Sequence, residues 1–145
     1  GIDIDAYNII SMRNQAKLEK KSLQQLKEFR KISKLPLMLK GVFTLEDLEL
    51  CKEVKPEIIV VSNHGGRVET EKGSTAEFLS KYSRELKNCC ENLWVDGGIR
   101  RKKHIQAALN LGAQKVLVAR PFISALCSGG SEKMELAIRS LINGV

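Results

Sequence analysis

The segment Ile58 to Arg67, I-I-V-V-S-N-H-G-G-R, places an imidazole, two glycines and a guanidinium directly after an apolar run. His64 is one of two histidines in the chain. An imidazole can accept a proton near neutral pH, and an arginine three residues on can grip a carboxylate through two parallel hydrogen bonds. A base and an anion anchor together suit proton abstraction from a small acid. Gly65 and Gly66 clear space beside the ring. The alternative is a histidine satisfied by backbone in a turn.

Three more apolar runs end in residues that a core does not need. Val95 to Arg100 reads V-D-G-G-I-R, and Val118 to Pro121 reads V-A-R-P. Gly97 and Gly98 allow a close approach of backbone to a ligand, with N–H groups turned toward an anion. Arg100 and Arg120 open the segments leading into helices, and phosphate favours such N-termini. Asp96 reads equally as a cap or turn residue. Lys40 ends the run L-P-L-M-L-K-G. It is either snorkelling to solvent or, in a cleft, a fixed positive charge able to stabilise a developing anion.

These positions are all carboxyl ends of predicted strands: Leu35 to Gly41, Glu57 to Asn63, Leu93 to Gly98 and Lys115 to Pro121. The second and fourth are continuously apolar at their centres, as strands buried on both faces are. Helical patterns precede and separate them. Ser22 to Ser33 opens with capping-box spacing between Ser22 and Gln25. Thr44 to Val54, Thr75 to Leu86, His104 to Leu111 with Gly112 as its stop, and Ser131 to Asn143 follow the four strands in turn. The polar loop Val68 to Ser74 is expected to be mobile. The order is an α-helix and then four βα units, which predicts an α/β fold with a parallel sheet. Four units make either half of a (β/α)₈ TIM barrel or a small open doubly wound sheet. In both, ligands bind at the carboxyl edge of the strands.

Composition narrows the function. Of 145 residues, 43% are hydrophobic and 28% charged, which suits one soluble globular domain. No apolar run approaches the ~20 residues of a membrane span, and Gly1 to Tyr7 lacks the basic start of a signal peptide. The first methionine is Met12, so a fragment of a longer chain is expected. The net charge of +7 raises the question of nucleic acid, but the lysines are interspersed with acids and aromatics are only 5%, so none is expected. Cys51, Cys89, Cys90 and Cys127 show no metal-ligand spacing, and a reduced, cytoplasmic chain without a metal follows. Nucleophile-elbow, dinucleotide-binding, Walker A and H-E-x-x-H motifs are all absent.

The stretches L-P-L-M-L-K-G-V-F-T-L-E-D-L-E-L-C, I-I-V-V-S-N-H-G-G-R, V-D-G-G-I-R-R and L-G-A-Q-K-V-L-V-A-R-P-F resemble the C-terminal half of the FMN-dependent α-hydroxy acid oxidase and dehydrogenase family, which includes glycolate and lactate oxidases. The resemblance runs from Gly1 to about Gly130. It implies a (β/α)₈ barrel whose fifth to eighth strands are the four predicted here. It implies FMN, with Lys40 against the flavin and Ser62 hydrogen-bonded to it. Asp96, Gly97, Gly98, Ile99, Arg100, Ala119 and Arg120 would hold the ribityl chain and phosphate. It makes His64 the base for the hydroxyl of a small 2-hydroxy acid and Arg67 the anchor of its carboxylate, with the glycines leaving room for that substrate. The chain departs from the family pattern at Thr70, Lys102, His104, Ala107 and Ala119. A second substrate arginine, a substrate-binding tyrosine and the aspartate that orients the base are expected outside this chain. The missing half-barrel or self-association is then expected to complete it. The other expectation is a non-catalytic half-barrel remnant binding phosphate or a partner chain.

Overall fold

The computed structural model describes residues 1–12, 15–68 and 72–144. Five strands, β1 (Ile2–Asp3), β2 (Met38–Val42), β3 (Ile58–Val61), β4 (Asn92–Val95) and β5 (Lys115–Val116), form one parallel sheet in consecutive order. That order removes the doubly wound alternative, whose strand order reverses at a switch point. One register row runs Asp3, Lys40, Val60, Trp94, Lys115.

Among the described residues five α-helices connect and follow the strands: α1 (Leu23–Ile32), α2 (Leu45–Val54), α3 (Thr75–Lys87), α4 (Lys102–Asn110) and α5 (Arg120–Asn143). Three of them start at complete capping boxes: Ser22 with Gln25, Thr44 with Asp47 and Ser74 with Glu77. Each cap pairs N–H groups that the first helical turn cannot satisfy, and contributes about 1 kcal/mol. Alternation along the strands sends Leu39, Ile59, Val61, Leu93 and Val95 into one core with Leu48, Cys51, Phe78, Leu79 and Leu86 of the helices. Lys40 and Trp94, from the other register row, are half-buried. Glu57 ties the amino edge together. Its carboxylate accepts two bonds from Arg30 of α1, and one from the Leu37 N–H at 2.7 Å just before β2.

The structure corrects the predicted elements in several places. The chain opens with a strand, β1, ahead of the first helix, so Ile2 and Asp3 join the sheet. The strand predicted to run from Lys115 to Pro121 stops at Val116, and its last two residues, Arg120 and Pro121, instead open α5. The predicted helix from Ser131 is only the second part of α5, which kinks at Gly129 and Gly130. Helix α4 starts at Lys102 rather than His104, capped by Arg101 without a side-chain bond. Strand β2 extends past Lys40 through a bulge at Gly41, where φ is +91° and the register with β3 shifts. Thr70 and part of the loop Val68 to Ser74 lie outside the described residues. No described helix is long and apolar enough to cross a membrane.

Candidate active site

Each parallel strand releases its chain at the same edge, and the side chains singled out from the sequence meet there. A cleft of about 280 Å³ is lined by Lys40, His64, Arg67, Asp96, Gly97, Gly98, Ile99, Arg100, Ala119 and Arg120. Of the predicted residues Ser62 alone is not in its wall. Ser62 is wholly buried, and its hydroxyl accepts the His64 N–H at 3.1 Å, so it fixes the turn that carries His64.

That turn is built locally. After β3 the Asn63 side chain accepts the N–H groups of Gly65 and Gly66 at 3.1 and 3.2 Å. This Asx arrangement folds the chain back on itself. His64 takes a left-handed conformation, φ +48°, which few side chains adopt and histidine adopts more readily than most. Its ring is thereby turned inward, with the side chain 10% exposed. Arg67 donates from Nε to the His64 carbonyl at 2.8 Å and stays on the rim of the cleft. Gly65 has a close neighbour that the sequence did not show. A Cβ there would collide with the Arg120 guanidinium, which reaches in to donate to the Gly65 carbonyl at 2.9 Å. The glycine makes room for an arginine, and it also lines the cleft.

The aspartate expected outside the chain is inside it. Asp5, just after β1, accepts from His64 Nδ1 through Oδ2 at 2.7 Å and is buried. The bond assigns the proton to Nδ1 and leaves the Nε2 lone pair as the basic site. Gly41 makes this approach possible, because its missing Cβ would occupy the Asp5 carboxylate's place. Sequence reasoning had a signal for Asp5. Ile2-Asp3-Ile4-Asp5 alternates with period two, as a strand with one polar face does. The Lys40 ammonium contacts Asp3 at 3.0 Å, His64 Nε2 at 2.9 Å and Asp96 at 3.8 Å.

The other half of the cleft suits a phosphorylated polyol. Asp96 Oδ1 is buried with no hydrogen-bond partner among the described residues, an acceptor suited to a hydroxyl. Thr75 holds the Asp96 carbonyl at 2.8 Å, keeping that turn in place. Arg100 and Arg120 stand beside it, and α4 and α5 both begin without a side-chain cap. Uncapped N-termini flanked by arginines favour an anion. At Gly98, φ +72°, a Cβ would meet nothing within 4 Å, so the backbone faces open space. Burial pushes the thiols of Cys51, Cys89 and Cys90 upward, Cys90 to about 11, which disfavours these three as nucleophiles.

The family model described as FMN-dependent dehydrogenase matches residues 5–145. The chain belongs to the FMN-dependent dehydrogenase family. FMN is the cofactor for which the family is named. The chain is 38% identical over 118 residues to a 2-hydroxyacid oxidase of Dictyostelium discoideum, covering 81% of this chain and 30% of that protein. It is 34% identical over 116 residues to an L-lactate oxidase of Lactobacillus jensenii, covering 80% of this chain and 28% of the relative. Among solved structures, mandelate oxidase with benzoyl-formic acid superposes with a TM-score of 0.79 at 28% identity, over 97% of this chain and 47% of that one. The chain thus spans about a third of the length of these curated relatives.

Proposed function

We propose that this chain carries the base and the phosphate grip of an FMN-dependent oxidoreductase acting on a small 2-hydroxy acid, and that it corresponds to the second half of a (β/α)₈ barrel. The observation that carries the reading is the His64–Asp5 pair at 2.7 Å, with His64 in the same cleft as Arg67, Arg100 and Arg120. When bound, FMN supplies the hydride acceptor. His64 Nε2 takes the proton of the substrate hydroxyl, while Asp5 holds Nδ1–H and stabilises the imidazolium. Arg67 grips the substrate carboxylate from the rim. Asp96 would accept ribityl hydroxyls, and Arg100, Arg120 and the start of α5 would hold the phosphate. Consecutive strand order supports a barrel, and the strands on either edge, β1 and β5, each pair on one side only. Another set of strands, from the rest of a longer chain or a second copy, is proposed to cover those edges. The four free cysteines fit a reducing compartment, and the cytoplasm is the one we propose.

Fluorescence titration of FMN tests the cofactor site. Loss of Arg120 in Arg120→Ala removes a charge-assisted contact and weakens binding by about ten-fold or more. Equal affinity of the parent and the variant would remove the phosphate assignment.

A further inference from the structure

We propose that Asp3 is a positioning residue that parks the Lys40 ammonium on the base, so that a ligand drawing on Lys40 frees His64. Asp3 stands opposite Lys40 in the parallel pairing of β1 and β2, which brings both side chains to one face. Three atoms close a small triangle there. Asp3 Oδ1 accepts from Lys40 Nζ at 3.0 Å, Lys40 Nζ donates to His64 Nε2 at 2.9 Å, and Asp3 Oδ1 lies 3.5 Å from His64 Nε2.

Two consequences follow from the chemistry of those atoms. His64 has one lone pair in this tautomer, because Nδ1 donates to Asp5. With the ammonium on Nε2, that lone pair is engaged and cannot accept a substrate proton. The positive charge of Lys40 is also already answered, by Asp3 and more distantly by Asp96 at 3.8 Å. A ligand that presents a charged acceptor to Lys40 therefore competes with the Asp3 carboxylate for the charge and the position of the ammonium. The contest is an easy one to win, since the Asp3 side chain is 46% exposed and water can take over its hydrogen bonds. Winning it draws the ammonium off Nε2 and returns the lone pair to the base. Occupation of the cofactor site and availability of the base are coupled through one lysine. The identity of the ligand, FMN, and the role of His64 as base rest on the function proposed above; the parking contact does not.

The experiment uses the whole chain and its variants Asp3→Asn and Asp3→Glu. ¹⁵N-resolved imidazole spectra without ligand report the state of His64 Nε2. In Asp3→Asn the Nε2 resonance moves toward that of an acceptor with no ammonium on it, while Asp3→Glu, which keeps the charge, stays near the parent. FMN and inorganic phosphate are then titrated separately. Asp3→Asn tightens FMN by about two- to five-fold, the range of a half-exposed ion pair. Phosphate, which reads the Arg100 and Arg120 end, binds all three proteins alike. An unmoved Nε2 resonance in Asp3→Asn overturns the parking contact. FMN binding that does not tighten, or phosphate binding that tightens equally, overturns the competition. An Nε2 shift in a chain that binds no FMN at all upholds the parking contact and sinks the FMN reading instead.

Discussion

Replacing Gly41 by alanine tests the joint that lets Asp5 reach His64. Gly41 sits in the β2 bulge at φ +91°, and an alanine Cβ would overlap the carboxylate of Asp5. Two penalties add. Holding an L-residue in that conformation costs roughly 1–2 kcal/mol. Pushing Asp5 aside strands a buried carboxylate and breaks its bond to His64, a further ~1–3 kcal/mol. Gly98→Ala separates the two, because Gly98 also has positive φ, +72°, yet a Cβ there meets nothing within 4 Å. Urea unfolding of both variants, followed by far-UV circular dichroism, should show the Gly98 variant losing only the conformational part, with the Gly41 variant losing about 1–3 kcal/mol more. The His64 Nδ1–H resonance should persist in the Gly98 variant and vanish in the Gly41 variant. Equal stability losses, or an unchanged Nδ1–H signal in Gly41→Ala, would refute the claim that this glycine exists to admit Asp5.

Asp5→Asn keeps the shape of the dyad but lets an amide donate to Nδ1, which moves the ring proton to Nε2. In a protein that includes the rest of the barrel, flavin reduction by lactate in anaerobic stopped flow should slow by about 10²–10⁴-fold. Glu57 is held at about 2, chiefly by Arg30 and also by the Leu37 N–H. Because its folded value is depressed, its stabilisation is complete above the ordinary carboxylate range and disappears as pH falls toward 2. Glu57→Gln should therefore destabilise the chain at pH 7, by about 1–2 kcal/mol after screening of the partly exposed Arg30, and by progressively less toward pH 2. Asp47 acts oppositely, since burial raises it, so the parent-minus-variant difference in urea midpoint against pH is the quantity to plot. Thr44→Ala removes the cap of α2 and should cost about 1 kcal/mol in the same unfolding assay, with the FMN affinity unchanged.

Much of the molecule was legible in the chain because its signals are local. The capping-box spacing at Ser22, apolar runs such as I-I-V-V and the glycines after them act over a few residues, so their order alone predicts alternating strands and helices. The rule that parallel strands release their functional residues at one edge then brings His64, Arg67, Asp96 and Arg120 together without coordinates. Boundaries were less legible. Lys115 to Pro121 is apolar at its centre, but Arg120 and Pro121 suit a first helical turn as well as a strand end, and α5 begins at Arg120.

What only the tertiary structure decided is the set of partnerships across long sequence separations. Asp5 and His64 are 59 residues apart, and their pairing depends on where β1 lies beside β2 and on a bulge at Gly41. Gly65 and Arg120 are 55 apart, and the role of that glycine appears once the guanidinium is seen against it. Asp3 became part of the site for the same reason, as the register opposite Lys40 put a carboxylate against the ammonium. A sequence specifies which residue types can act as base, acid or anion anchor. Which carboxylate reaches which ring nitrogen is set by strand register and by clearances of an ångström or two, and those arise only when the whole sheet has closed around its core.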